Sequence, residues 1–177
     1  MNTSLTSLSY LIICMLSRKP QSGYALCQSI KNMPIGAVSA SPGSIYPALS
    51  KLRKAKLILC KKVGGSIKPR NEYRLSAQGK RVLSGWVRQP LTGLDFIKSP
   101  ELMFIRLSFL ESHDSLLARQ LAELSDDLNT RTSELEKYQT RAKEEMHLGG
   151  QLAITLAINI TRVLQEWSEK SSKRLQK

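Results

Sequence analysis

The chain has 177 residues, 41% of them apolar, enough for a packed core and too many for a disordered tail. Its net charge of +13 lies almost wholly in the first half: residues 1–90 hold nine Lys and six Arg against one acid, Glu72, a balance of +14, whereas residues 91–177 balance at −1. A segment so poor in carboxylates repels itself when compact and is expected to meet a polyanion, nucleic acid first; a solubilising basic surface without a partner is the bland alternative.

The longest apolar run, Tyr10 to Leu16, falls far short of the ~20 residues of a membrane span. Arg18 and Lys19 follow that run rather than precede it, so no signal peptide is expected and the expected location is the cytoplasm, with the nucleoid. Cys14, Cys27 and Cys60 have neither C-x-x-C nor zinc spacing and are expected to be buried thiols, with redox sensing at Cys60, beside Lys61 and Lys62, as the alternative.

In chain order, Leu8, Leu11, Ile12, Met15 and Leu16 recur at helical spacing and predict a first helix ending near Arg18, closed by Pro20. Ser22 caps a second helix through Ile30, and Pro34 and Gly36 end that segment. Ser41 caps a third helix with Pro42 in its first position, where a missing N–H is harmless. Ile45, Leu49 and Leu52 face its core side, while Ser44, Tyr46, Pro47, Ser50, Lys51 and Lys54 point outward. No acid occurs between Met1 and Arg70, so this exposed face lacks the Glu–Lys pairs of a generic surface helix and suits a nucleic-acid groove.

Leu57 to Val63 and Asn71 to Leu75 read as a hairpin whose tip carries Ser66, Lys68 and Arg70. Ser76 caps a fourth helix, Ala77 to Arg88, with Val82, Leu83 and Trp86 on its buried stripe. Together these elements predict a winged helix-turn-helix over residues 1–88. Pro90, Thr92, Gly93 and Asp95 mark residues 89–98 as a linker, and Ser99-Pro100-Glu101 starts a fifth helix running to about Leu110. From Asp114 to Met146, Leu117, Leu121, Leu124, Leu128, Leu135, Tyr138 and Ala142 alternate at four and three, the pattern of a helical seam.

Gly149-Gly150 is expected to break that helix. Leu152 to Leu175 follows with Leu156, Ile160, Val163 and Trp167 on one stripe; Ile154 and Ile158 alternate with these, which leaves a strand open, and length favours a helix. The expected fold is therefore mainly α with a small β-hairpin, carrying a carboxyl-terminal antiparallel, coiled-coil-like dimerisation domain over 99–177. Apolar residues on more than one face of this hairpin predict a homodimer, with Leu117, Leu121, Leu124, Leu128, Leu156, Ile160, Val163 and Trp167 as its contacts.

Gln21-Ser22-Gly23-Tyr24, Ser41-Pro42-Gly43-Ser44-Ile45-Tyr46-Pro47-Ala48-Leu49 and Tyr73-Arg74-Leu75-Ser76-Ala77-Gln78-Gly79, in this order and spacing, resemble the PadR family of bacterial transcriptional regulators. The second half is similar to the family's virulence-activator subgroup through Trp86 to Pro90 and its helix lengths. The resemblance implies a dimeric winged-helix regulator of an inverted-repeat operator, in some members responsive to a small aromatic effector. Where the family's third helix ends in acids and a Gly, this chain has Arg53, Lys54 and Lys56. A non-Gly residue in the left-handed region costs about 1 kcal/mol, so a reshaped turn is expected there, and the added charge should strengthen nonspecific phosphate binding.

The DNA-binding candidates are Ser22, Tyr24, Ser41, Gly43, Ser44, Tyr46, Pro47, Lys51, Lys54, Lys62, Lys68 and Arg70. Lys and Arg would neutralise phosphates, and the start of the third helix would read bases through Ser and Tyr contacts, thymine methyls and shape, since it offers no Arg, Asn or Gln for bidentate contacts. For any single Lys the alternative is a solvated side chain; for Ser22 and Tyr24, capping and packing; for Tyr46, a core position. Trp86 and Trp167 are candidate walls of an aromatic effector pocket, with core packing as the alternative for both. His113 and His147 sit at predicted helix ends and are read as neither metal ligands nor bases. No catalytic motif appears, so no enzyme, cofactor or metal is expected. A protein-interaction module on the same scaffold is the competing function; RNA binding is disfavoured by the lack of stacking aromatics on an exposed sheet.

Overall fold

The computed structural model describes residues 5–33, 38–64, 70–109 and 114–176. The chain falls into two compact units, Met1–Gln89 with Glu101–Phe109 and Pro90–Pro100 with Leu110–Lys177.

In the first unit, α1 (Ser7–Arg18) begins where the Thr6 hydroxyl accepts the Ser9 N–H at 3.2 Å, and its residues Leu11 through Leu16 are all buried. Around it lie β1 (Gln21–Ser22), α2 (Gly23–Lys31), α3 (Pro42–Lys54), β2 (Ile58–Val63), β3 (Arg70–Leu75) and α4 (Ala77–Val87). The strands form an antiparallel sheet in the order β1-β3-β2. The two-residue β1 was not legible, because so short an edge carries no alternation. Ser22, Ser41 and Ser76 cap α2, α3 and α4 as expected, each hydroxyl accepting an amide three residues on. Among the three thiols, Cys14 and Cys27 are buried and Cys60 is half-buried. Burial pushes the Cys14 thiol up to about 12, against a weaker opposing pull from Arg18, so it is inert at neutral pH.

The turn after α3 differs from expectation. Lys56 takes the left-handed conformation itself, at φ 59°. The Lys56 N–H reaches the Arg53 carbonyl at 2.9 Å and the Leu57 N–H reaches the Leu52 carbonyl at 3.0 Å, a complete Schellman closure with both leucines buried. Because the Ser76 hydroxyl also donates to the Lys56 carbonyl at 2.7 Å, the turn keeps its shape without glycine and bears the strain instead. Lys56→Gly is expected to raise stability by about 0.5–1 kcal/mol in denaturant unfolding; an unchanged midpoint would show that Lys56 is unstrained.

Residues 89–98, expected to be a linker, contain the helix α5 (Gly93–Lys98), capped by Thr92. The next helix, α6 (Pro100–Phe109), packs within the first unit. Its buried Arg106 donates to the Val87 carbonyl at the end of α4 (2.7 and 3.2 Å), Ser7 donates to Glu101 at 2.9 Å, and Arg18 lies 4.3 Å over the Phe109 ring.

The second unit pairs α7 (Asp114–Ala142) with an antiparallel α8 (Leu148–Leu175). Leu121, Leu124, Leu128 and Thr132 are buried on α7, and Ile158, Thr161, Ser168 and Ser172 on α8. Thr132 donates to Thr161 at 2.9 Å and Ser172 to the Ala118 carbonyl at 2.8 Å, so much of the seam is hydroxylic. On α5, the Gly93 N–H meets Asp127 at 2.8 Å and Phe96 meets the Trp167 ring edge-on at 5.8 Å.

The Gly149-Gly150 pair does not break the helix, contrary to expectation; it forms the first turn of α8. His147 supplies the cap, its Nδ1 accepting the Gly150 N–H at 3.2 Å, and the Gln151 amide donates back to the Lys143 and Met146 carbonyls. Helix is also the outcome for the stretch where a strand was open.

Candidate nucleic-acid interface

The residues of α3 that avoid the core form two adjacent exposed stripes. Gly43, Pro47, Lys51 and Lys54 make one and Tyr46, Ser50 and Arg53 the other, since residues three and four apart share a helix face. Opposite them Ile45, Leu49 and Leu52 are fully buried, so the helix cannot rotate without exposing its core. Pro47 has no N–H, which leaves the Gly43 carbonyl without the i+4 amide that a helix carbonyl normally receives. A Cβ at Gly43 would meet nothing closer than the Ser41 hydroxyl at 3.9 Å, so nothing inside the unit requires glycine there.

At the entrance to α3, the hydroxyls of Ser39, Ser41 and Ser44 form a triangle of hydrogen bonds at 3.2, 2.9 and 3.0 Å. Ser39 is a residue that sequence reasoning missed. Its signal was the Ser-x-Ser-Pro spacing, which puts a second hydroxyl beside the cap. Ser22 is committed to its cap, whereas Tyr24 stands out at 69% exposure on the first turn of α2.

Tyr46 is not a core residue: it is 49% exposed, with its ring against the start of α2. On the wing, the buried Tyr73 phenol is pushed up by burial, then by Cys60 and Tyr46, while Arg53 and Asn71 oppose the shift. These neighbours place the Tyr46–Arg53 stripe on the side of α3 nearest β3.

The register separates two candidates that the sequence grouped. Lys62 stands opposite Asn71 on the face that carries Cys60 and Tyr73, whereas Arg70 stands opposite Val63 on the other face with Lys61 and Arg74. Lys68 lies outside the described residues, as do Ser66, Pro34, Gly36 and His113. Lys51, Lys54 and Lys62 are all exposed.

The other candidates divide between the units. Trp86 is buried in the first, stacked on Tyr10 with centroids 4.1 Å apart, and Trp167 belongs to the second. Of the seam residues, Leu121, Leu124 and Leu128 are buried within the chain, Leu128 beside Gly93 of α5, and Leu117 is half-buried. Leu156, Ile160, Val163 and Trp167 are exposed in line with Leu148 and Leu152; Ile160 borders α7 beside Arg131, Glu134 and Leu135, and Trp167 meets Phe96 of α5. Among the described residues no helix is long and apolar enough to cross a membrane, and no group of His, Cys, Asp and Glu could hold a metal ion.

Three helices, a two-stranded wing and an acid-free exposed helix define a winged helix-turn-helix of the kind that reads duplex DNA. Residues 12–85 match the transcriptional regulator PadR-like family. A PadR family transcriptional regulator from Eggerthella lenta DSM 2243 is 32% identical over 45% of this chain and 68% of its own, with a TM-score of 0.38. The chain belongs to the PadR-like family of transcriptional regulators. It is also similar to Bacillus subtilis PadR, solved in complex with operator DNA (20% identity, 96% of this chain and 99% of that one, TM-score 0.47) and with p-coumaric acid (21% identity, 97% and 100%, TM-score 0.41). No curated protein matches the chain.

Proposed function

We propose that this protein regulates transcription as a homodimer that inserts α3 into the major groove of an inverted-repeat operator and lays its wing along the neighbouring backbone. The observation that carries this reading is the exposed face of α3, where Lys51, Arg53 and Lys54 stand without a single acid beside Ser, Tyr, Pro and Gly. Cations there neutralise phosphates and release counterions, which supplies affinity. The Ser39–Ser41–Ser44 triangle, the open Gly43 carbonyl and Tyr46 supply short-range contacts to base edges, and Lys62 and Tyr24 contact the flanking strands. In this reading residues 1–88 are the DNA-binding module and the helical hairpin is the dimerisation module. Trp86 and Trp167 are not assigned an effector, because their rings pack on Tyr10 and Phe96.

A salt titration tests the proposal. Binding to duplex DNA should weaken by about 10³- to 10⁵-fold between 50 and 200 mM salt if 6–10 phosphates are contacted. Lys51→Gln and Lys54→Gln should each lower the salt slope by roughly 1 while leaving sequence preference intact. Affinity indifferent to salt would rule the reading out, and heparin retention with no footprint on any duplex would favour the protein-interaction module.

A further inference from the structure

Gly23 opens α2, yet neither its backbone nor its helix asks for glycine. Its φ does not lie in the left-handed region, and glycine in a helix forfeits about 0.5–1 kcal/mol relative to alanine. What glycine provides is space. A Cβ at Gly23 would lie 2.7 Å from Cε1 of Tyr46, 3.1 Å from Cζ and 3.2 Å from the phenol oxygen, all inside ordinary contact distance.

We propose that Gly23 is a positioning residue for DNA binding: its missing side chain is the seat of the Tyr46 ring and sets where the Tyr46 hydroxyl meets the nucleic acid. The inference rests on the DNA-binding reading above and adds a residue to it. Of the two surfaces in contact, the backbone is the fixed one. Gln21 and Ser22 pair with Tyr73 and Glu72 of β3, and the Ser22 hydroxyl holds the Ala25 amide at 3.2 Å, so the first turn of α2 cannot retreat. The Tyr46 ring, half in solvent, turns on two side-chain bonds and is the part that yields. Because α2 packs on both α3 and the wing strand β3, the seat lies where the three elements converge. Displacing the ring by about 1 Å is enough to break a hydrogen bond, whose donor–acceptor distance is held to a few tenths of an ångström.

The test combines Gly23→Ala, Tyr46→Phe and the double variant of the full chain, with a short fluorescein-labelled duplex of mixed sequence as probe. Gly23→Ala should keep or raise the thermal midpoint, shift the Tyr46 ring resonances in the free protein, and weaken binding on the order of tenfold, the worth of one hydrogen bond to a charged acceptor. Tyr46→Phe should weaken binding to a similar degree, the double variant no further than Tyr46→Phe alone, and the salt slope should stay unchanged throughout. Unmoved ring resonances in Gly23→Ala, a lowered midpoint, or losses that add in the double variant would overturn the seat. Wild-type affinity in Gly23→Ala with the ring displaced would overturn its role in binding. A wild-type protein that shows no salt-dependent binding overturns the DNA-binding reading instead, and the resonances still decide whether the seat exists.

Discussion

Glutamate at both Leu156 and Val163 is expected to leave the protein as single chains in sedimentation and to weaken its binding to a two-half-site duplex by about 10²- to 10⁴-fold, the advantage of tethering two modules. Leu156 and Val163 are 61% and 67% exposed on a stripe that also includes Leu148, Leu152, Ile160 and Trp167. At 1.5 Å per residue this apolar line runs roughly 30 Å along α8, and a monomer rarely leaves so long a patch to water. Each aliphatic side chain fully buried by a second copy contributes about 1.5–3 kcal/mol, while a carboxylate in the same place must be desolvated without a partner.

The variant should fold, because the face of α8 that meets α7 is a different one, carrying Ile158, Thr161, Ser168 and Ser172. Glutamate at Leu124, by contrast, would enter the intrachain seam and should unfold the hairpin rather than merely separate two copies. If the Leu156 and Val163 substitutions left the sedimenting mass unchanged, the proposed dimer through this stripe would be wrong.

That comparison also explains what the sequence showed of this half and what it hid. The sequence named one stripe of α8, Leu156, Ile160, Val163 and Trp167, as dimer contacts and did not name the face that is buried, because three of its four buried residues, Thr161, Ser168 and Ser172, carry hydroxyls. The hydroxyls of Thr132, Thr161 and Ser172 are satisfied across or along the helices, and nothing in a hydropathy pattern reports a satisfied hydroxyl.

The first half was more legible because its signals are local. A Ser-Pro start and three buried positions at helical spacing define α3, and a cap three residues from its amide needs no knowledge of the tertiary fold. Where two local signals competed, the less conspicuous one prevailed: Gly149-Gly150 suggested a break, but the His147 cap and the Gln151 side chain place the turn before the pair. Lys56 shows the reverse case, a turn that the sequence alone suggested would change and that tertiary hydrogen bonds hold. The division of Lys62 from Arg70 depended on register, which neither composition nor charge reveals.

Gly79→Ala is expected to destabilise the first unit by on the order of 3 kcal/mol, a large share of the 5–15 kcal/mol that holds a small domain. A Cβ at Gly79 would sit 2.2 Å from the Leu57 carbonyl oxygen, 3.1 Å from its carbon and 2.6 Å from Cδ1 of Leu75. Unlike the ring opposite Gly23, the Leu57 backbone has no side-chain bond about which to turn. Its carbonyl accepts the Ser76 N–H and its N–H closes α3 on the Leu52 carbonyl, both at 3.0 Å. Gly79 is tied to the same junction, its N–H donating at 2.9 Å to the Ser76 hydroxyl that in turn holds Lys56. An added methyl therefore pushes the first turn of α4 off the place where α3 ends and the wing begins, and both the strained Lys56 turn and the base of β2 must move with it. Gly85, on the same helix, is the internal comparison: a Cβ there meets nothing within 4 Å, so Gly85→Ala should instead stabilise α4 by about 0.5–1 kcal/mol. Denaturant unfolding of the two variants side by side decides the point, since equal midpoints would mean that the backbone contact at Leu57 can relax and that Gly79 is not what fixes the wing to α3.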